Sequence, residues 1–348
     1  MLARIKAVGQ NGGNLKMRTL ILFIILILPG LIFAEKLADL AEVMQPGDFH
    51  VYGDRIFIGD NNTIHIYSLK DFKQIKQFGR EGEGPGEFKF NIRLEVFPDK
   101  LVVNTMGKLI FFSHDGSLIK EFKTKSGMSN IRPVGPNFVA SVYEGSKTQK
   151  MNLYDKNLKF MDTFYEGSLG QTTYWHSDAK KNDVFMVKDY VELEVYKDRI
   201  YVGDTRKGFY FAVYDCTGKK LYDVKNQYKP LKISEEYKKE KIRIQQERPG
   251  WDRIKNKINI RFPEYFPAYH SVRFSDDKIY FVTFLNSKGK DETIVTDLNG
   301  KFLGKTCVPS DIWIFSISKD KLYWLVENED KEMWELYGED VKQLTRGN

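Results

Sequence analysis

The glycine-rich stretch FGREGEGPGEFKF, residues 78–90, is the first part of the sequence that invites a chemical interpretation. Glycine loops that cradle phosphate lie between a strand and a helix, and they carry Lys-Ser/Thr or an equivalent spacing. Here the residues that follow, LEVFP at 94–98, alternate in hydrophobicity as a strand does, and no helix begins. The stretch is therefore predicted to be a joint between two strands rather than a nucleotide-binding loop.

The histidine and serine residues show no spacing that is typical of catalysis. The five histidines are scattered and lack the short separations of a metal site, at positions 50, 65, 114, 176 and 270. No Gly-x-Ser-x-Gly sequence is present, so a hydrolase triad of the α/β type has no starting point. The sequence accordingly predicts no cofactor and no dedicated metal site, and a binding protein is favoured over an enzyme.

The two cysteines, Cys216 and Cys307, have no closely spaced partner of the kind that thiol chemistry usually needs. Neither follows the apolar N-terminal segment directly, where a lipid-modified cysteine would lie. An oxidising compartment would permit a disulfide, but sequence does not place the two Cα atoms within bridging distance. A bridge is therefore the less favoured outcome.

The N-terminal segment has the pattern of a secretory signal peptide. Lys16 and Arg18 precede an apolar run at residues 20–28, a Pro-Gly pair follows, and Ala34 supplies a small residue before Glu35. The alternative is a membrane anchor, but the run is shorter than the roughly 20 apolar residues that span a bilayer. Residues 1–34 are therefore predicted to be removed on export, to the periplasm or the outside of the cell.

Cleavage would also change the charge balance, which bears on the class of partner. The chain has a formal charge of +7, and residues 1–34 hold four basic residues and no acidic one, so the processed chain carries +3. No Lys/Arg-rich patch with interleaved aromatic residues appears, so nucleic-acid binding is not expected. Met17 is an alternative start, and no stable membrane span is expected after cleavage.

A repeated pattern of alternating strands runs along the rest of the chain. Each copy opens with an acidic or amide residue and continues through three short strands joined by Asp-, Asn- or Gly-containing turns. The six copies lie at residues 54–79, 99–123, 137–165, 198–224, 277–306 and 320–344. Together with 44 Phe and Tyr residues against 11 Pro, this pattern favours β structure.

A repeat of about 40 residues built from short strands is typical of a propeller blade. The sequence therefore predicts an all-β, six-bladed propeller of four-stranded antiparallel blades over residues 45–348. The segment DFHVY, residues 48–52, is the candidate for a strand that closes the ring. We expect the protein to be a monomer.

The joint at residues 78–90, followed by PDKLVV, resembles the glycine-proline-glycine-aromatic junction of NHL-type repeats. The whole processed chain looks like the exported six-bladed β-propeller proteins of bacteria that carry such repeats, although the full junction occurs only once. In that family the propeller is most often a docking surface, so the resemblance implies a binding role here. Some six-bladed propellers resemble lactonases with a divalent ion at the channel, for which the candidate oxygen ligands are Glu95, Asn104, Asp204 and Asp297.

Two long loops interrupt the repeat. The larger, residues 227–271, contains a predicted helix at 234–247, N-capped by Ser234 and ended by Pro249-Gly250, and a second short helix at 251–258. It is interpreted either as a helical flap packed on the rim or as a cover for one mouth of the channel, since long loops on a rigid scaffold are often functional. The smaller lies at residues 166–185.

Aromatic residues and histidines on these loops are the candidate contact residues, because aromatic side chains are enriched at binding hot spots. They are Tyr174, Trp175 and His176 on the smaller loop and Tyr265, Phe266, Tyr269 and His270 on the larger. For the trio on the smaller loop, burial under the loop is an equal alternative to a contact role. The predicted function is an exported binding module for a protein, peptide or glycan that uses loops around the central channel. The alternative is a metal-dependent propeller hydrolase of the lactonase type.

Overall fold

The computed structural model describes residues 34–90, 92–125, 127–144, 148–168, 182–227, 229–310 and 312–341. The predicted signal peptide, apart from Ala34, and the trio Tyr174, Trp175 and His176 lie outside the described residues. No helix within the described ranges combines the length and apolar character that crossing a membrane requires.

Six four-stranded antiparallel sheets form the blades, which confirms the predicted six-bladed propeller. The first described strand is β1 (Glu35–Leu40). Blade one contains β2 (Pro46–Tyr52), β3 (Arg55–Asp60), β4 (Thr63–Ser68) and β5 (Gln74–Phe78), and blade two contains β6 (Arg93–Phe97), β7 (Lys100–Thr105), β8 (Lys108–Phe112) and β9 (Leu118–Lys123). Blade three contains β10 (Met128–Val134), β11 (Asn137–Glu144), β12 (Thr148–Tyr154) and β13 (Phe160–Ser168).

The remaining blades follow the same order along the chain. After β14 (Asn182–Phe185), blade four contains β15 (Val191–Tyr196), β16 (Arg199–Asp204), β17 (Phe209–Tyr214) and β18 (Lys220–Asn226), with a 3-10 turn at Thr205–Lys207. After β19 (Ile258–Arg261), blade five contains β20 (Ser271–Ser275), β21 (Lys278–Ser287), β22 (Lys290–Asp297) and β23 (Phe302–Pro309). Blade six contains β24 (Phe315–Ser318), β25 (Lys321–Asn328) and β26 (Met333–Asp340), and β1 completes it.

The period-two alternation of each strand builds the core, because successive side chains point to opposite faces of a sheet. In β3, Ile56 and Ile58 pack at the seam with blade six, while Phe57 between them packs at the seam with blade two. Each of the six seams holds a cluster of buried apolar side chains of this kind. The apolar core is therefore a ring of six layers between blades.

The ring is closed by β1, which pairs with β26 as the outermost strand of blade six. This corrects the expectation for residues 48–52, which lie in β2, the innermost strand of blade one. The propeller also takes in residues before 45. Buried Leu40 and Val43 fix this segment in the seam between blades six and one.

The glycine-rich stretch at 78–90 joins β5 to β6, as predicted. Phe88 is fully buried in the seam between blades one and two. Around it, Gly84 N–H donates to the Glu87 carboxylate at 2.7 Å, and the Lys108 ammonium donates to the carbonyl oxygens of Glu83 and Gly84 at 2.9 and 2.7 Å. The loop is thus a compact, internally bonded joint.

The larger insertion contains helix α1 (Glu235–Glu247) and a single turn, α2 (Trp251–Ile254). Ser234 Oγ accepts a hydrogen bond from Tyr237 N–H, so the predicted N-cap is confirmed. The second helix is shorter than predicted, because the chain after Ile254 turns into β19. Cys216 and Cys307, both in the described part of the chain, are free thiols.

Candidate functional site

The strand order gives the propeller two distinct ends, which differ in the loops and turns that emerge there. Loops that join consecutive blades, and turns between the second and third strands of a blade, emerge at one end, which we call the joint face. Turns between first and second and between third and fourth strands emerge at the other end, which we call the turn face. The described ends of both long loops lie on the joint face, because each loop joins one blade to the next.

Large apolar side chains are exposed on the joint face in most blades. Of the sixteen large apolar residues that are exposed in the described part of the chain, eight lie on its loops or at strand ends that reach it, namely Met44, Phe90, Met106, Tyr143, Tyr265, Leu285, Trp313 and Val326. Trp313 is the most exposed of them, at 86%. Seven of the others lie near the starts of outermost strands, on the rim. Exposed aromatic and methionine side chains are typical of interaction surfaces.

The two long loops meet in the structure, although sequence did not predict this. Their strands β14 and β19 form a two-stranded parallel sheet, with Asn182 opposite Ile258 and Phe185 opposite Arg261. The Asp183 carboxylate accepts hydrogen bonds from Asn259 and Arg261 at 3.1 Å each. The loops after blades three and four therefore form one unit on the joint face.

Tyr265 and Phe266 are adjacent in sequence and differ in exposure. The Tyr265 side chain is 43% exposed, as a contact residue requires. Phe266 is buried, and its ring stacks on Phe284 with centroids 4.5 Å apart and meets the edge of Tyr237 at 4.8 Å. Phe266 thus fastens helix α1 to blade five, which differs from the contact role expected of it.

Tyr269 is fully buried in the seam between blades four and five, stacked near Phe211. Burial removes its ring from the surface, so the contact role expected for Tyr269 does not fit its position. Its hydroxyl group has no hydrogen-bond partner among the described residues. The burial of Tyr269 was not predicted, because an aromatic, proline-rich segment is typical of a surface loop, and its packing partners are distant in the sequence.

His270 is partly exposed and takes part in a polar cluster. Its Nε2 lies 3.3 Å from the Asp291 carboxylate, which also accepts hydrogen bonds from Ser310 at 2.9 Å and Asn286 at 3.0 Å. Burial raises the pKa of Asp291, but these hydrogen bonds outweigh it and hold the pKa below its ordinary value. Ser310 bonds to the aspartate and not to the imidazole, so the arrangement is not that of a nucleophile activated by histidine.

The innermost strands line the central channel with charged side chains. At the position three residues before the turn that ends each of these strands, six polar side chains form what we call the inner ring: His50, Glu95, Arg132, Glu194, Arg273 and Ser316. The side chains that precede them in sequence are all buried in the seams, so by alternation the ring residues face the channel. Two residues earlier, nearer the joint face, lie Asp48, Arg93, Glu192 and Ser271.

Arg132 connects three blades through the inner ring. Its guanidinium donates to Glu95 in blade two at 2.6 Å, and to the Glu194 carboxylate and the Leu193 carbonyl oxygen in blade four, the former at 3.2 Å. Two carboxylates raise the pKa of Arg132 and outweigh its desolvation. The ring therefore holds its central arginine as a fixed cation.

Asp48 and two residues of the inner ring bond to the free backbone edge of the next blade. The Asp48 carboxylate accepts from Leu94 N–H, and His50 Nε2 lies 2.8 Å from the Leu94 carbonyl oxygen, to which it can only donate. Ser316 Oγ accepts from Val51 N–H at 3.1 Å. Innermost strands are sheet edges with unpaired backbone groups, which are costly when buried without a partner.

Glu192 is a buried carboxyl group of the channel whose charged form is disfavoured. Burial, followed by repulsion from Glu194, raises the pKa of Glu192 to about 8, against the attraction of Arg273, Arg132 and Arg93. Its Oε2 atom has no hydrogen-bond partner among the described residues. Burial also lowers the pKa of His50, which favours the neutral imidazole.

Apart from Glu95, these channel-lining residues were not predicted from the sequence. The copies recognised there open with the turn that follows each innermost strand, so the innermost strands themselves fell between copies. The available signal was the charged alternation just before those turns, as in RLEVF at 93–97 and ELEVY at 192–196.

The oxygen ligands considered for a metal do not converge. Glu95 is paired with Arg132, Asn104 bonds to the backbone of Ile131, and Asp204 is paired with Arg206. Asp297 lies in a turn on the opposite, turn face. Within the described residues, no three His, Cys, Asp or Glu side chains come together in a way that could hold a metal ion.

No family model and no curated protein sequence matches the chain. Among solved structures it is similar to the β-propeller domain of Myceliophteria thermophila Cps50 (Swd1), with 13% identity, a TM-score of 0.45, and coverage of 89% of this chain and 100% of that one. It is also similar to BamB from Moraxella catarrhalis, with 9% identity, 84% coverage of each chain and a TM-score of 0.35.

A third similar structure is Chaetomium thermophilum Raptor, with 12% identity and a TM-score of 0.43 over 90% of this chain and 29% of that one. Likenesses at these identities and scores carry no argument about what this chain binds.

Proposed function

We propose that this chain is an exported binding module whose protein, peptide or glycan ligand contacts the joint face around the channel. The observation that carries the proposal is the set of eight exposed apolar side chains on that face, in loops and at strand ends of different blades, six of which are aromatic or methionine. Trp313 and Tyr265 are the principal anchors, because large rigid side chains contribute most to hot spots. His270 and the trio Tyr174, Trp175 and His176 are proposed as further contacts.

A broad ligand suits this geometry better than a deep-pocket substrate. The anchors come from loops of several blades, and the two long loops are tied together by the β14–β19 sheet. Such a rigid platform with side chains spread over it favours a surface contact. The metal-dependent hydrolase remains the alternative, and no specific observation in the described residues favours it.

Photo-crosslinking tests the proposal with matched positions. A benzophenone amino acid placed at Tyr265 or Trp313 on the joint face should capture a ligand from the native cell envelope. The same group at Leu221 or Phe302 on the rim, where exposure is 45% and 46% against 43% for Tyr265, should not. Digestion of the adduct with protease or glycosidase then identifies the ligand class. Equal capture at rim positions, or none at joint-face positions, would contradict the proposal.

Export is a separate part of the proposal with its own test. The closing strand β1 begins at Glu35, directly after the predicted cleavage point, so cleavage there leaves every strand of the propeller intact. N-terminal sequencing of the protein recovered from its native host should give Glu35 as the first residue. A chain that retains residues 1–34 would contradict export by a cleaved signal.

A further inference from the structure

A second candidate surface lies on the turn face, away from the joint face. A groove of about 310 Å³ runs between blades two and three, where β8 and β9 meet the turn that precedes β11. We call it the phenylalanine groove after Phe111, Phe122 and Phe138, which form its floor. Pro133 and Pro136 also line it.

The floor of the groove is rigid and apolar. The Phe122 ring meets the edges of Phe111 and Phe138 at centroid distances of 5.8 and 5.5 Å, so the three rings brace one another. Ile119 stands at the side of the groove and is 57% exposed. A volume near the lower end of the range for ligand pockets suits one or two apolar side chains rather than a large organic ligand.

The rim of the groove is positively charged. Lys100, Lys120 and Lys156 line it, and the one acid there, Asp99, is paired with Lys100 at 2.9 Å. The Lys120 ammonium lies 4.2 Å from the centre of the Phe122 ring. Neither Lys120 nor Lys156 forms an ion pair within the described part of the chain, although the charge of Lys156 acts on the neighbouring Asp155 carboxylate. Positive charge therefore borders the apolar floor.

An apolar floor with a basic rim is complementary to an apolar side chain flanked by carboxylates. We propose that the phenylalanine groove docks an acidic peptide segment of a partner protein. One apolar side chain of the segment packs on Phe122 and Phe138, and its neighbouring carboxylates lie against Lys120 and Lys156. This site is distinct from the joint face, so it does not depend on the function proposed there.

Fluorescence anisotropy with a labelled peptide tests this directly. The probe is acetyl-Glu-Asp-Leu-Glu-Asp-amide, and the control peptides replace Leu by Ala or all four acids by Lys. The parent protein should bind the probe at least about tenfold more tightly than either control peptide, and the affinity should fall with added salt. No binding of the probe up to about 1 mM would overturn the proposal.

Charge-reversal variants locate the site. Lys120→Glu with Lys156→Glu should weaken binding of the probe at least about tenfold, a coupling typical of charged contacts. Lys70→Glu with Lys301→Glu is the matched control, because both of these exposed lysines lie in turns of the same face in other blades. An equal loss in both double variants would show a diffuse charge effect and overturn the proposal.

A third variant separates the apolar contact from charge. Ile119→Ser changes an exposed side chain at the edge of the groove. It should lower the affinity for the probe severalfold and leave the salt dependence of that affinity unchanged. Unaltered affinity in this variant would overturn the insertion of an apolar side chain. Binding of anionic lipid vesicles by the parent, without binding of the probe, would overturn the choice of a peptide.

Discussion

Charged side chains of the channel differ in how fully their charge is balanced. The Arg132 side chain is buried, and its guanidinium donates hydrogen bonds to two carboxylates and a carbonyl oxygen. Glu192 lies among Glu194, Arg273, Arg132 and Arg93, yet one of its oxygen atoms has no hydrogen-bond partner among the described residues. Burial disfavours a charge unless it is paired, so the two residues respond to pH in different ways.

Glu192→Gln should change how stability depends on pH. The folded pKa of about 8 lies above the unfolded value near 4.5, so between these values the folded parent binds the extra proton and loses stability as pH rises. The slope from this group approaches about 1.4 kcal/mol per pH unit in that window. In urea unfolding at pH 5, 6.5 and 8, the free energy of unfolding of the variant should therefore rise relative to that of the parent as pH rises.

Glu329→Gln, which removes an exposed carboxylate, is the control and should follow the parent at each pH. Burial lowers the pKa of His50, and its charged neighbours are Asp48, Glu95 and Arg273, so the substitution at position 192 should leave its effect common to both proteins. Parallel curves for the parent and Glu192→Gln would show that the Glu192 carboxyl has an ordinary pKa.

Among the structural elements, the joint between blades one and two depends on close packing of a glycine, Gly79, against an aromatic ring, that of Phe88. Gly79 has φ +93°, and a Cβ atom there would lie 2.3 Å from the Phe88 ring, which is fully buried. Gly53, in the turn of blade one, has φ +65° and open space around the same position. The pair separates the cost of backbone conformation from the cost of a clash.

Gly53→Ala should cost about 1–2 kcal/mol of unfolding free energy, because only its backbone conformation opposes a side chain. Gly79→Ala should cost about 1–3 kcal/mol more, since Phe88 must also move. Chemical denaturation of the two variants measures the difference. Equal losses of unfolding free energy in the two variants would mean that the joint accommodates a methyl group at position 79 without a clash.

Helix α1 is predicted to open more readily than the strands. Of its thirteen described residues none is buried, although Tyr237 contacts Phe266. Regions with few buried contacts open locally at low free-energy cost. Limited trypsin digestion should therefore cut first within α1, after residues such as Lys241 and Arg243, while the fragments stay together in size-exclusion chromatography. First cleavage in a blade strand would contradict this order.

At the scale of the whole molecule, the ring depends on a strand that is remote in sequence from its partners. Lys36 of β1 donates to Glu335 of β26 at 2.6 Å, and this bond with those from Tyr337 and Asn328 lowers the pKa of Glu335 to about 2. Leu40 adds a buried apolar contact to the same closure. Removing β1 exposes the edge of β26 and opens the seam between blades six and one.

A chain that begins at residue 42 should therefore lose cooperative unfolding or unfold at a clearly lower urea concentration than the parent. A synthetic peptide of residues 35–41, added in excess, should restore part of the stability by mass action. Lys36→Ala, which removes only the ion pair, is the control and should have a much smaller effect. A truncated chain with the parent's midpoint would show that closure by β1 contributes no stability.

The number of blades and their strand character could be read from the sequence, because both follow from local chemistry. Period-two alternation and turn residues such as Asp and Gly act within a few residues of each other. The N-cap at Ser234 and the joint at 78–90 were predictable for the same reason. The aromatic residues 266 and 269 were not, since whether a loop aromatic is buried depends on which distant side chains cover it.

Local sequence patterns were enough to predict the propeller, the joint at 78–90 and the helical insertion. The closure of blade six by β1, the pairing of the two long loops through β14 and β19, and the meeting of charges from successive blades in one ring became visible only in the folded chain. These features depend on long-range strand pairing, which local patterns do not encode. A strand pattern specifies its two faces, but only the closed ring determines which strand is innermost and which side chains it brings together.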